Sequence, residues 1–562
     1  MIVSDFSILE VFPMDERMQQ EEQAHLEKIV AVLTERLKQW NLTAEESRRQ
    51  AMEQKQTLWQ DLYEMDRRDQ VNAREEINAS IAAHDKAMEE AAMVGRLLDS
   101  PYFGRIDFQE TGDEPETFYI GLTGLQGKRA SDILVYDWRA PVASMFYDFD
   151  VGPASYEAPM GKVSGDLLLR RQFKITGGKL DYVLDSAIKI DDDILQKELS
   201  RATSPRMRNI IATIQREQNR IIRTDDRTSV IVQGVAGSGK TSVALHKVAY
   251  LLYTYRGKIT SRNLLILSPS KVFSDYISGI LPELGEENVT ELSFDQLAWN
   301  ELGQEITYER RYDQLEYILN HSGQDDVRLR EIELKSTRDY ALWLKEYAEV
   351  LLQENFRPQV FVYGQERFEA EEIADLFYNR FSAQPFFVRI QWIQEKLLEE
   401  LEIRQNKEMG SRAQKAVERA LSRMVRCDSL PQLYSGFIHW LRDTGRADLR
   451  EVDTTQPVAY EDLFPMVLLK YYMKGSRDFS RIRHLVVDEM QDYSPVQYEI
   501  LNYLFHCPKT ILGDISQNLN LHSGIRQLDE FSGDLANVEI IKLNKSFRSS
   551  WEIAQFANAI SP

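Results

Sequence analysis

The first long pattern in the chain is helical. Leu26, Ile29, Leu33, Leu37 and Trp40 recur at three- and four-residue steps among Glu, Gln, Lys and Arg. That spacing predicts a helix with a coiled-coil seam from about residue 15. Asn41-Leu42 interrupts the seam, and Thr43-Ala44-Glu45-Glu46 has capping-box spacing, so a second helix is expected to start there. It carries Met52, Leu58, Leu62 and Met65, then Ile77, Ile81, Met88 and Leu97. Between Met65 and Ile77 the seam has only Val71, so the tip of the hairpin lies near there or the second helix outruns its partner. Helical throughout, residues 44 to 98 would span about 80 Å. A long exposed hairpin reaching a partner is the preferred reading. The alternative is a helical pair packed back on its own body.

From Ser100-Pro101-Tyr102-Phe103-Gly104 the pattern shortens to alternating segments such as Phe118–Leu122, Ile133–Tyr136 and Leu167–Phe173, with Gly177-Gly178 as a hairpin turn. This predicts a small β-rich module. Within it, Tyr136-Asp137-Trp138-Arg139-Ala140-Pro141 reads as a packed Trp beside a structural Asp–Arg pair rather than a functional patch. A helix is expected from Ile190 to Arg223. Three buried strands with polar exits follow at Ser229–Gln233, Asn263–Ser270 and His484–Val487, and a fourth at Thr510–Gln517. In parallel sheets such exits line the ligand crevice. Residues 300 to about 455 are mostly helical, polar and in places strongly acidic. With Trp299, Trp343, Trp392 and Trp440 they still hold apolar mass enough for a core.

The chemistry sits at two of these exits. Gly234-Val235-Ala236-Gly237-Ser238-Gly239-Lys240-Thr241 is G-x-x-x-x-G-K-[ST], between a strand and a helix. Its glycines let backbone N–H groups curl around a polyphosphate, and the helix N-terminus adds partial positive charge. Lys240 is expected to reach the β- and γ-phosphates, and the Thr241 hydroxyl to ligate Mg²⁺. His484-Leu485-Val486-Val487-Asp488-Glu489 is an apolar strand ending in Asp-Glu. Asp488 is expected to hold Mg²⁺ and Glu489 to position and deprotonate the attacking water. Gln218 lies just upstream of the first of these strands, where its amide suits both N7 and the N6 amino group of adenine.

Composition narrows the setting. The 562 residues suit about three or four domains. The net charge of −21 disfavours nonspecific attraction to DNA or anionic lipid and suits docking on a basic surface. Cys427 and Cys507 match no metal spacing and read as buried small hydrophobes in a reducing compartment. No signal peptide or membrane span is legible, which implies the cytoplasm and no membrane partner.

In this order the motifs resemble those of superfamily 1 helicases of the UvrD/Rep type. Gln218 resembles the Q motif, Gly234–Thr241 motif I, Asn263–Ser270 motif Ia, and Asp488-Glu489-Met490-Gln491-Asp492 motif II. Gly513-Asp514-Ile515-Ser516-Gln517 resembles motif III and Asn544–Ser549 motif IV. The resemblance implies ATP and Mg²⁺ as cofactors. It implies that Gln517 senses the γ-phosphate, that Gln491 couples the site to nucleic acid, and that Arg548 reaches the γ-phosphate from a second lobe. The N-terminal hairpin, Ser100–Phe108 and Tyr136–Pro141 are similar to the HelD family of RNA polymerase-associated ATPases. That resemblance implies a motor that binds the RNA polymerase core and helps release it from nucleic acid. A 3′-to-5′ DNA helicase and a non-catalytic polymerase-binding factor are the rivals, with contact to DNA or RNA a weaker expectation. After Gln517 no aromatic follows within Asn518–His522, which argues against processive unwinding.

The expected fold is α/β: a P-loop RecA-like lobe built on a parallel sheet, with a helical insertion, an N-terminal coiled-coil hairpin and a β-rich module. The expected divisions are 1–98 hairpin, 99–190 β-rich module, 191–300 first part of the lobe, 301–455 helical insertion and 456–542 second part of the lobe. Residues 543–562 are read as the start of a truncated second RecA-like lobe. Motifs V and VI have no counterpart in the sequence, so weak ATP turnover is expected of this chain.

Overall fold

The computed structural model describes residues 16–61, 65–127, 129, 132–185, 214–269, 280–282, 284–303, 306–321, 323, 325–453, 456–476, 479–517, 535, 537–546, 553 and 556. It divides into two compact units. The first is Met1–Arg223 with Leu245–Arg256 and Ile277–Asn288; the second is Thr224–Ala244 with Gly257–Tyr276 and Val289–Pro562.

In the first unit α1 (Glu16–Asp61) and α2 (Arg67–Asp99) form an antiparallel hairpin. Ser80 Oγ donates to Gln54 Oε1 at 2.8 Å, and the His84 ring meets Ala44 O at 2.9 Å. The expected break at Asn41-Leu42 is absent, because α1 runs straight through it. Thr43 spends its hydroxyl on Gln39 O at 3.0 Å, an i−4 bond inside the helix, so it caps nothing. The start signal for the second helix is Asp66 instead, whose carboxylate accepts from the N–H groups of Arg68 and Asp69, both at 2.8 Å. The turn therefore falls between Asp61 and Arg67, and the second helix does not outrun the first.

The base of the hairpin is part of a core. Leu26, Ile29 and Leu33 of α1 and Val94 and Leu97 of α2 are buried with Tyr102, Tyr119, Val135 and Phe173. The seam read as helix pairing thus also serves the adjoining sheet. Buried Glu22 ties the two together, accepting from Arg105 Nη1 at 2.6 Å, Arg171 Nη1 at 2.7 Å and Tyr119 OH at 2.9 Å. Farther out, Leu42, Met52, Trp59, Val71, Ile81 and Met88 are exposed. The base packs back on its own body, while the outer part exposes these large apolar side chains.

The adjoining sheet comprises β1 (Gly104–Glu110), β2 (Glu116–Gly121), β3 (Leu125–Gln126), β4 (Ile133–Asp137), β5 (Gly152–Ala158), β6 (Gly161–Thr176) and β7 (Lys179–Asp185). Its order is β3-β4-β2-β1-β6-β5, with β7 also on β6. Only β2 and β4 pair in parallel. Gly177 and Gly178 make the β6–β7 turn with φ of 59° and 71°, the left-handed pair that a two-residue hairpin needs. Trp138 is fully buried, and Arg139 grips Asp137 through two 2.8 Å bonds and Glu286 at 2.5 Å, the structural role expected of that stretch. Of the helix expected over 190–223, Arg216–Arg223 is present and 190–213 lies outside the described residues.

In the second unit β8 (Ser229–Gly234), β9 (Leu264–Leu267), β10 (Thr290–Leu292), β13 (His484–Val487), β14 (Lys509–Gly513) and β15 (Val538–Leu543) form a sheet of order β10-β9-β13-β14-β8-β15. Every pairing in it is parallel. The four-residue β9 and β13 are wholly buried, which is why they read as continuous apolar runs. Between β10 and β13 the described residues are mainly helical, with a small hairpin of β11 (Phe361–Tyr363) and β12 (Glu366–Phe368) among them. Tyr340, Phe437 and Leu468 of these helices share one core with Ile231, Leu265 and Val487 of the sheet. Cys427 and Cys507 are free and only partly buried, short of the full burial expected. Among the described residues no helix is long and apolar enough to cross a membrane.

The hairpin base supplies a pH test. His25 stacks on Tyr119 with centroids 3.7 Å apart, and its Nε2 has no hydrogen-bond partner among the described residues. Burial pushes its imidazole from 6.5 down to about 4, against the pull of Glu22 and with the help of Lys28 and Arg105. The unfolded chain then binds the proton first as pH falls. The stability this ring contributes is complete above about 6.5 and is lost as pH drops toward about 4. Protection factors over residues 20–34, taken relative to intrinsic exchange at each pH, should fall between pH 6.5 and 4, and His25→Phe should flatten that fall. Identical pH profiles for the two proteins would remove His25 from the account.

Candidate functional site

Register decides what meets at the carboxyl edge of the parallel sheet. Val487 pairs with Leu267 and with Ile511, Gly513 with Gln233, and Leu543 with Gly234. The strands therefore end on one edge, where Ser268, Asp488, Asp514 and Asn544 follow β9, β13, β14 and β15 and the glycine loop follows β8.

The loop after β8 carries the expected glycine geometry. Gly237 and Gly239 take φ of 74° and 80°, which a side chain resists. A Cβ at Gly234 would collide with Ser238 Oγ and the Lys240 stem. Ser238 N–H turns back to Val235 O at 3.1 Å, and the helix Lys240–Thr254 begins at once. The loop is pinned from its far side, where Val235 N–H donates to Leu543 O at 3.1 Å and Ser546 Oγ to Ala236 O at 2.7 Å. Lys240 is buried, and its ammonium donates to Gly234 O at 2.8 Å and Val235 O at 3.3 Å. The charge is thus parked on the loop's own carbonyls, at the place where an anion would draw it.

Thr241 Oγ1 donates to Asp488 Oδ2 at 2.9 Å. Burial, then the neighbouring Glu489 charge, pushes the Asp488 carboxyl from 3.8 up to about 6. The Thr241 and Glu489 N–H bonds and the Lys240 charge oppose this shift. One hydroxyl and one carboxylate oxygen are the hard donors Mg²⁺ takes alongside substrate phosphates, so these residues fit that ion. Among the described residues no group of three or more His, Cys, Asp or Glu offers an all-protein metal cage.

Glu489 stands in the left-handed region with φ and ψ of 51°, rare for a residue with a side chain. Its Oε2 accepts from Gln491 Nε2 at 2.8 Å. Gln491 Oε1 in turn accepts from Asp514 N–H at 3.0 Å. The Asp514 carboxylate accepts from Gln233 Nε2 at 2.8 Å and from Gln517 Nε2 at 2.5 Å. One hydrogen-bond chain therefore runs from Glu489 through Gln491 and Asp514 to the strand that enters the loop, with Gln517 as a branch. Gln233 was not singled out from sequence, and Asp514 was named only as part of a motif. Their signal was the polar residue at a buried strand's exit, but which exits bond each other depends on the strand order.

Two expected residues are not among the described residues of this unit. Gln218 belongs to the first compact unit, where it is buried and its Oε1 accepts from Gln215 N–H at 3.1 Å. Arg548 lies outside the described residues, as do Asn518–His522.

The comparisons with known proteins agree with this edge of the sheet. The family described as the UvrD/REP helicase N-terminal domain matches residues 214–519, and that described as the DNA helicase IV HelD, N-terminal domain, matches residues 19–200. The chain belongs to the UvrD/Rep family of superfamily 1 helicases and is HelD-like in its N-terminal part. It is similar to the ATP-dependent DNA helicase Rep of Escherichia coli (strain K12), 35% identical over 103 residues. That stretch is 17% of this chain and 15% of Rep. Rep of Salmonella typhimurium is 35% identical over 85 residues, 14% of this chain and 13% of the relative. Rep of Buchnera aphidicola is 33% identical over 108 residues, 18% and 17% of the two chains.

The tight crossing of motifs II and III gives a stability test. A Cβ at Gly513 would collide with Gln491 Oε1, with Met490 Cγ and with the Met490 backbone nitrogen at 2.9 Å. Backbone cannot yield as a side chain can. Gly513→Ala should cost about 1–3 kcal/mol in denaturant unfolding, the usual cost of overpacking. An unchanged midpoint would contradict this geometry.

Proposed function

We propose that the chain is an ATP-driven, helicase-like motor that binds bacterial RNA polymerase and helps release it from nucleic acid. The observation that carries this reading is the division of the hairpin: a base locked by Glu22 and a distal half that exposes Leu42, Met52, Trp59, Val71, Ile81 and Met88. An arm with a rigid root and an unspent surface suits docking on a partner. The match of residues 19–200 to the HelD N-terminal domain supports polymerase as that partner. The acidic balance suits channels that otherwise hold nucleic acid.

In this reading the parallel sheet is a RecA-like lobe and the helices between β10 and β13 are a domain inserted into it. The loop amides and Lys240 hold the phosphates of ATP, and Thr241 and Asp488 hold Mg²⁺. When bound, the ion neutralises charge on the transferred phosphoryl group. Glu489 orients the attacking water and takes its proton, held in place by Gln491. Gln517, tethered to Asp514, faces the γ-phosphate, and Arg548 reaches it from a second lobe. Gln218 is assigned to adenine. The printed name of the Rep relatives keeps the DNA helicase reading as the rival.

Two experiments test this. Lys240→Ala removes a charge-assisted bond to phosphate, so affinity for ATP·Mg²⁺ should fall about 10- to 100-fold. Equal affinity of the two proteins would sink the assignment of the loop. For the partner, removing the whole hairpin would strip Leu26, Ile29, Leu33, Val94 and Leu97 from the core, so the cut belongs higher. Residues 45–83 are replaced by a short glycine-rich turn above the Ala44–His84 rung. The shortened protein should retain less polymerase in a pull-down across a salt series, with its nucleotide affinity unchanged. Equal retention at every salt concentration would rule out the arm as the anchor. Strand separation of a DNA duplex without polymerase would favour the rival.

A further inference from the structure

The catalytic end of β13 is a single tight turn. Glu489 caps it, Met490–Asp492 form it, and Asp492 N–H closes it on Glu489 O at 2.9 Å. The left-handed backbone of Glu489 persists only if the turn is held from outside. Three grips do so. Tyr498 OH donates to Met490 O at 3.1 Å, and Asp514 N–H to Gln491 Oε1 at 3.0 Å. The third is Arg311, whose Nη2 lies 3.1 Å from Asp492 Oδ2.

The first two grips come from elements next to the turn, the helix Pro495–Leu504 and the end of β14. Arg311 comes from far away in sequence, as the first residue of the helix Arg311–His321. That helix belongs to the stretch proposed as the inserted domain. Arg311 also faces Asp295, whose carboxyl is raised by burial and lowered by the guanidinium. The pair with Asp492 borders a small cavity of about 40 Å³ lined also by Gln314, Lys335, Glu461 and Gln497. That volume admits water. Pro465 lines it too, and as a residue inside the helix Tyr460–Lys474 it leaves Glu461 O without its i+4 donor. Around Arg311 the joint between these helices and the turn carries polar side chains, beside an apolar core in which Met490 and Tyr493 pack with Phe294 and Phe464. An ion pair that is about one-third exposed on both sides adds little to stability but fixes direction.

We infer that Arg311 is a positioning residue for the proposed hydrolysis: it holds Asp492, and through the turn it holds the carboxylate of Glu489, so that the inserted helices bias the nucleotide site. This rests on the ATPase reading above. A partner that shifts the helix Arg311–His321 would then change turnover without touching the nucleotide.

The test uses Arg311→Ala, Arg311→Lys, Asp492→Asn and the Ala/Asn double variant. Three quantities are read: hydrogen exchange over residues 488–493, nucleotide affinity and ATP turnover. Arg311→Ala should speed exchange in the turn and lower kcat about tenfold, within the range that misplacing a catalytic group costs. Affinity should stay as in the parent, and Arg311→Lys should restore most of both losses. Asp492→Asn should match Arg311→Ala, and the double variant should add nothing further. Parent-like exchange and turnover in Arg311→Ala would overturn the inference. So would a joint loss of affinity, turnover and thermal stability that Lys does not rescue, which marks a merely structural residue. Faster exchange in Arg311→Ala with no hydrolysis by the parent would leave the anchor standing and remove the ATPase reading instead.

Discussion

The Asp514 carboxylate is the interaction on which the nucleotide edge depends. It takes Gln233 from one side and Gln517 from the other, while its own N–H holds Gln491 against Glu489. These residues come from distant parts of the chain and meet only because β14 lies between β13 and β8. In that order, one buried carboxylate joins the strand that feeds the Gly234–Thr241 loop to the turn that carries Glu489. Each member of such a chain restrains the next, so a change at one strand end is felt at the other.

The same logic governs the hairpin. A pair of helices has no preferred direction unless something fixes its root. Here Glu22 is buried with two guanidinium groups and a phenol, so its charge is compensated by several bonds at once. Removing any one donor leaves the carboxylate underpaired in a site that water does not reach. That cost gives the arm its fixed base, and the exposed side chains from Leu42 to Met88 are what the base presents.

Much of this was legible from residue pattern. The strand–loop–helix of Gly234–Thr241, the apolar run into Asp488-Glu489 and the Gly177-Gly178 turn each rest on local chemistry, and local chemistry is what a sequence displays. The start of the second helix was misread because Thr43 has capping-box spacing but spends its hydroxyl inside the first helix, while Asp66 caps the next one. The spacing alone does not distinguish a cap from a back-bond. The helix continues there beside its partner, where the His84 ring meets Ala44 O from 40 residues away in sequence. Gln233 and Arg311 escaped notice, and Asp514 was named only as part of a motif, for the same reason. A lone polar residue at a strand end or a helix start is ordinary, and its meaning comes from the neighbour that the topology brings to it.

Acid–base work by Glu489 is the central claim, and turnover by Glu489→Gln tests it most directly. The amide keeps the shape and the left-handed turn but cannot take a proton. ATP·Mg²⁺ affinity should match that of the parent, and turnover should fall about 10²- to 10⁴-fold, the usual contribution of a general base. Turnover equal to that of the parent would contradict the account.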